Sequence, residues 1–159
     1  MAELFAPRAR HVTAFDMSPE MLRIARTRLQ DLPAEQVELV QGDFAALPFA
    51  AASFDTLLFH QVLHYAQDPA LVLGEAARVA RPGGMVAVVD FAAHDREELR
   101  SAHAHARLGF TDEQMMDLLG AAGFAPALPV ALAGTPLTVK IWAGERQPAS
   151  LPTPAKASR

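Results

Sequence analysis

No cysteine occurs among the 159 residues. Disulfides, thiolate nucleophiles and cysteine-bound metals are thereby excluded, and the composition fits a reducing, cytoplasmic setting. Tryptophan and tyrosine are also scarce, with one of each beside nine phenylalanines. An excess of positive charge is lacking: fourteen Lys and Arg face eighteen Asp and Glu, for a net charge of -4. That balance argues against direct nucleic-acid binding. Arg23, Arg26 and Arg28 cluster, but they read as a solvated helix face. No apolar run has the length of a membrane span, and the first residues lack a signal-peptide pattern. The length suits one domain with a real core.

What is present is organised around residues 11–20. Val, Thr and Phe in the run His11–Phe15 suit a buried strand, which stops at the carboxylate of Asp16. Ser18-Pro19 then reads as a helix start, serine capping free N–H groups and proline occupying the first helical position. Upstream, residues 1–6 read as the last turns of an amphipathic helix stopped by Pro7. Leu22, Ala25, Leu29 and Leu32 recur at helical spacing, so a helix is predicted from Pro19 to Asp31. A second strand runs from Val37 towards Asp43, and a third from Phe54 to His60, with residues 45–52 as a loop or short helix. Gln61–Gln67 is a connection carrying His64 and Tyr65. Asp68-Pro69 opens the next helix, to about Ala80, with Leu71, Val72, Ala76 and Val79 facing inwards. Arg81–Gly84 reads as a tight turn before a fourth, almost wholly apolar strand, Met85–Asp90. Residues 95–107 are expected to be helical. Thr111 and Gln114 form a capping box for a helix that buries Met115, Leu118, Leu119 and Ala122, with Gly123 as its stop. Two strands near 126–132 and 137–143 are expected to close an antiparallel hairpin at a sheet edge. Residues 147–159, rich in Pro, Ala and Ser, are expected to be a disordered tail after a domain spanning 1–146.

This order predicts an α/β fold with a mainly parallel sheet and right-handed crossovers. Its core strands end in Asp16, Asp43, His60 and Asp90. Polar groups in register at strand ends point to a ligand crevice, since ligands bind at the carboxyl edge of such sheets. A carboxylate after an early strand can accept two hydrogen bonds from the vicinal diol of a ribose. A second acid, in the turn Gly42-Asp43-Phe44, can accept from an adenine amino group while apolar neighbours cover the ring.

These residues carry a resemblance. The stretches Ala14–Leu22, Gly42-Asp43-Phe44 through Leu47-Pro48-Phe49, Phe54-Asp55, Gln61–Tyr65, Asp68-Pro69 and Arg78–Gly84 resemble class I S-adenosylmethionine-dependent methyltransferases. The resemblance covers about residues 1–145. It implies a Rossmann-like three-layer sandwich and S-adenosylmethionine as cofactor, leaving as S-adenosylhomocysteine. It implies that Asp16 holds the ribose, that Met17 packs on adenine, and that Asp43 with the Gly42–Phe44 backbone reads the adenine edge. His60 and Gln61 fall near the methionine end. His64 and Tyr65 follow the third core strand, where relatives bind the methyl acceptor, and are the candidate catalytic residues. The segment His94–Phe110 looks like methyltransferase domains fused to ArsR-type regulators. His103 and His105, two apart, point away from each other on a helix, so no metal site is expected.

The chain departs from this pattern at its start. The opening strand and the glycine-rich loop that cradles the methionine part of the cofactor have no counterpart. The expectation is therefore a domain lacking its first strand, from an N-terminally truncated sequence. Two functions follow: methyl transfer to a small-molecule acceptor, or a non-catalytic assembly or regulatory module, with a homodimer as one arrangement. A nicotinamide-dinucleotide binder shares the ribose acid but not the Gly-Asp-Phe turn or the closing hairpin.

Overall fold

The computed structural model describes residues 1–99, 106–132, 134 and 136–148. They fall in two compact units, one comprising Met1–Ala50 and one beginning at Ala51.

The first unit opens with a short helix α1 (Ala2–Phe5) that passes into a 3-10 turn, Ala6–Arg8. Pro7 sits inside that turn rather than ending the helix, because a proline in a first turn loses no hydrogen bond. Strand β1 (Val12–Asp16) pairs in parallel with β2 (Val37–Gln41), Asp16 lying opposite Gln41. Between them runs α2 (Pro19–Arg28), three residues shorter at its end than its periodicity suggests. The Ser18 hydroxyl accepts the Met21 N–H at 3.3 Å, as its position before Pro19 predicts. The Gln36 side-chain amide donates to the carbonyls of Ala6 and Ala9, at 2.7 and 2.8 Å, tying the entry segment to β2. Few side chains of this unit are fully enclosed; Ala6 and Leu29 are, while Leu4, Phe5, Met21 and Ile24 are exposed.

The second unit is a mixed sheet. Strand β3 (Phe54–His60) pairs in parallel with β4 (Ala80–Phe91), and β4 pairs antiparallel with β7 (Val139–Arg146). The short strands β5 (Phe124–Pro126) and β6 (Val130–Leu132) both pair antiparallel with β7. The closing strand is thus interior to the sheet, flanked by β4 on one side and β5 and β6 on the other, and not at an edge. Its burial agrees: Trp142 is wholly buried.

The predicted turn at Arg81–Gly84 is instead a bulge inside β4. Phe54 pairs with Ala80 and Thr56 with Met85, so one residue of β3 faces four of β4. Gly83 takes a φ of +77°, which glycine permits without strain.

Helix α3 (Pro69–Val79) starts where Asp68 accepts the N–H groups of Ala70 and Leu71, at 3.0 and 3.2 Å. Its inward face is Val72, Leu73, Ala76 and Val79; Leu71, expected inside, is 53% exposed. Helix α4 (Asp112–Ala121) carries both arms of the Thr111–Gln114 capping box. It buries Met115 and Leu119, with Leu118 half-buried. Gly123 follows at φ +87°. The core joins these helices to Val86 and Val88 of β4 and to Trp142. Residues 100–105 of the expected 95–107 helix, and the tail from 149 on, lie outside the described residues.

Candidate functional site

In the first unit, parallel pairing in register brings the ends of β1 and β2 side by side. The Gly42 N–H donates to the Asp16 carbonyl at 3.2 Å, and the Gln41 side chain donates to the Met17 carbonyl at 3.2 Å. Asp16 ends its strand as expected; Asp43 lies two residues beyond the end of β2.

Both acids are fixed from one side. Asp16 Oδ1 accepts the Ser18 N–H at 2.8 Å, and Asp43 Oδ1 accepts the Ala45 N–H at 2.8 Å. Among the described residues no donor reaches Oδ2 of either. Each carboxylate is thus held by the backbone through one oxygen. Asp16 is half-buried, Asp43 is exposed, and Met17 is 51% exposed.

Gly42 has a steric reason to lack a side chain. A Cβ there would stand 2.8 Å from the edge of the Phe15 ring. That ring meets Phe49 edge-on at 5.8 Å. Phe44 is half-buried beside them in sequence. The structure therefore brings Asp16, Met17, Gly42, Asp43 and Phe44 to one end of one small sheet.

His60, Gln61, His64 and Tyr65 belong to the second unit. His60 ends β3 and is exposed. Gln61 takes φ +52°, a left-handed conformation unusual for a side-chain-bearing residue, and its N–H donates to the Val89 carbonyl at 2.7 Å. The chain then enters a 3-10 turn, Leu63–Tyr65.

Asp90 holds that turn. Its Oδ2 accepts the N–H groups of Leu63 and His64, at 3.0 and 3.2 Å. Its Oδ1 accepts His64 Nδ1–H at 2.7 Å and the Phe91 N–H at 2.8 Å. Both side chains are buried. This revises the reading of Asp90 as one more acid open to a ligand: all its visible bonds go to the protein. A buried carboxylate persists because each lone pair is satisfied. The His64 ring centroid lies 4.1 Å from that of Tyr65 and 5.1 Å from that of Phe91, with the planes tilted by 43° and 48°. Tyr65 is 44% exposed. Sequence reasoning named the acid but missed its anchoring role, since the partners lie 26 and 27 residues away. Its one visible signal is a carboxylate closing an otherwise apolar strand.

A family model described as a methyltransferase domain matches residues 1–88, more than half of the chain. This chain belongs to that family. The matched region includes both strand-end acids and the Leu63–Tyr65 turn. It stops short of residues 94–110, on which the likeness to ArsR-linked domains rests.

Among curated relatives, the methyltransferase domain is 44% identical over 84 residues to an uncharacterized 37.1 kDa protein in transposon TN4556 of Streptomyces fradiae. That match covers 53% of this chain and 24% of that protein. It is 38% identical over 90 residues to a demethylmenaquinone methyltransferase of Listeria welshimeri, covering 57% of this chain and 38% of the relative. The matches thus span 24% and 38% of these relatives. Among solved structures, a candidate methyltransferase from Bacillus halodurans superimposes with a TM-score of 0.81 at 20% identity, over 92% of this chain and 87% of that one. That likeness establishes a shared Rossmann-like methyltransferase fold.

Proposed function

We propose that this methyltransferase domain binds S-adenosylmethionine through the strand ends of its first unit and methylates a small-molecule acceptor. S-adenosylhomocysteine is the product. When bound, the cofactor supplies an electrophilic methyl group on a sulfonium centre. The chain's own residues bind and orient. Asp16, anchored by the Ser18 N–H, is suited to accept from both hydroxyls of a ribose. Asp43, anchored by the Ala45 N–H, is suited to accept from an adenine amino group, with the Phe44 N–H donating to the ring. Met17 offers a half-exposed thioether for the ring face, and glycine at position 42 keeps the floor flat.

The observation that carries this reading is the pair of carboxylates on adjacent parallel strand ends, each with one oxygen fixed and the other available. Methyl transfer from a sulfonium is an in-line displacement, so positioning does most of the work and a base matters only when the acceptor must lose a proton. No helix among the described residues is long and apolar enough to cross a membrane. The absence of cysteine fits a reducing, cytoplasmic setting for this activity.

Thermal unfolding with added ligands tests the proposal. S-adenosylhomocysteine at 100 times its Kd adds about 2.7 kcal/mol of stability and raises Tm. Adenosine alone gives a smaller shift and NADH none. A shift with NADH and none with S-adenosylhomocysteine overturns the reading.

A further inference from the structure

Charge is missing from a long stretch of the second unit. Between Asp117 and Lys140 no Asp, Glu, Lys or Arg occurs, in a chain where such residues make up 20%. β6 lies in that stretch and forms part of one border of its sheet. It pairs with β7 on one side, and among the described residues no strand lies on the other. Such an edge presents outward N–H and C=O groups that can take a further strand. Pro129, just before β6, has no N–H to offer and keeps the open edge short.

Charged side chains are a usual guard of an open edge. Other strands that border their own sheets carry one: β1 holds Asp16, β2 Glu38 and β3 Asp55. β6 holds Val130, Ala131 and Leu132, all exposed, and Leu128 ahead of it is 87% exposed. Val130 and Leu132, two apart in a strand, stand on the same face. These residues also decide which strand fits. Antiparallel pairing about a two-fold axis at Ala131 sets Val130 of one copy opposite Leu132 of the other, with the two small alanines at the axis. Each cross-strand pair is apolar, and no like charges meet. Each copy carries a net charge of -4, so two copies repel over much of their surface but not along this stretch. A partner selected by charge finds nothing on β6 to pair with.

We propose that β6 is the contact through which two copies of this chain associate, antiparallel about a two-fold axis at Ala131, joining their mixed sheets into one. So short an edge makes a small contact, and the association is therefore reversible and depends on concentration. The claim does not rest on methyl transfer: β6 belongs to the second unit, and the strand-end acids to the first.

Sedimentation velocity on the full chain, from low micromolar to near-millimolar concentration, reads the association. The parent is expected to shift from monomer to dimer as concentration rises. Val130→Lys combined with Leu132→Lys sets like charges opposite each other across the axis, and is expected to stay monomeric throughout with unchanged far-UV circular dichroism. Mixed with the chain carrying Val130→Glu and Leu132→Glu, it is expected to dimerise again. A second test leaves the contact undisturbed. The chain has no cysteine, so Ala131→Cys introduces a lone thiol at the axis. Directly opposed antiparallel residues lie about 4.5–5.5 Å apart between Cα atoms, within reach of a disulfide. Under mild oxidation Ala131→Cys is expected to form a covalent dimer at least about tenfold faster than Gly74→Cys, which is exposed on α3. The proposal is overturned by a parent that stays monomeric at every concentration, which leaves the edge to a strand of another protein. It is overturned equally by a dimer that survives the double Lys substitution, or by Ala131→Cys crosslinking no faster than Gly74→Cys.

Discussion

Asp90 Oδ1 accepts a hydrogen bond from His64 Nδ1–H at 2.7 Å, with both side chains buried, 26 residues apart in the chain. The bond joins the end of β4 to the turn after β3. Three backbone N–H groups, of Leu63, His64 and Phe91, converge on the same carboxylate.

Removing that carboxylate leaves several buried donors without an acceptor. Asp90→Ala is expected to destabilise the chain by about 3–5 kcal/mol, the range seen when one partner of a buried polar pair is lost. Asp90→Asn, which keeps one acceptor oxygen, is expected to cost less. Urea denaturation followed through Trp142 fluorescence measures both. Equal and small losses would show that the junction contributes little.

Acid sensitivity has a nameable source. Asp112 is held below the ordinary carboxylate range, first by the hydrogen bond from Lys140 and also by the one from Trp142 Nε1, against an opposing effect of partial burial. A carboxyl whose folded pKa is depressed contributes stability that is complete above its unfolded pKa and is lost as pH falls through the folded value. Stability is therefore expected to fall below the normal aspartate range, near pH 4 by the usual reference values. In Asp112→Asn that part of the slope is expected to disappear. Denaturation midpoints between about pH 5 and pH 2.5 check it; an unchanged slope in the variant contradicts it.

Two glycines are expected to respond in opposite directions. Gly74 lies exposed on α3 with open space where a Cβ would stand, so Gly74→Ala is expected to stabilise by about 0.5–1 kcal/mol. Gly109 takes φ +75°, and a Cβ there would fall 2.3 Å from the Ala92 carbonyl oxygen. Gly109→Ala is expected to destabilise by at least about 1–3 kcal/mol, the usual cost of such backbone strain. Parallel thermal melts decide both signs.

Capping gives a smaller, cleaner test. Thr111→Ala removes the acceptor for the Gln114 N–H and breaks the capping box. The expected loss is about 1 kcal/mol, seen as a lower urea midpoint with an unchanged slope.

Local chemistry made much of this fold legible in the sequence. Ser18-Pro19, Asp68-Pro69 and Thr111 with Gln114 each mark a helix start within one residue, because capping depends on neighbours three positions away. The acids at 16 and 43 were legible for the same reason: each ends or follows a short strand with its own turn chemistry. What depended on distant partners was not. Nothing local in Val139–Arg146 says that β4 takes one side of it while β5 and β6 take the other. Leu71 fits the inward stripe of α3 by spacing, yet the helix turns it to solvent and buries Leu73. The Arg81–Gly84 motif has the composition of a turn, but the strand resumes its pairing with β3 beyond it, which converts the turn into a bulge. The identity of the Leu63–Tyr65 anchor, in the next strand but one helix away, has no local trace at all.

The central claim is that two neighbouring strand ends hold one adenosine. Calorimetric titration of S-adenosylhomocysteine into the parent chain, Asp16→Ala and Asp43→Ala tests it most directly. A charged hydrogen bond contributes about 1.5–3 kcal/mol, so each variant is expected to bind at least about tenfold more weakly than a parent that binds measurably. A parent that releases no heat of binding, or an Asp16→Ala variant with undiminished affinity, contradicts the account.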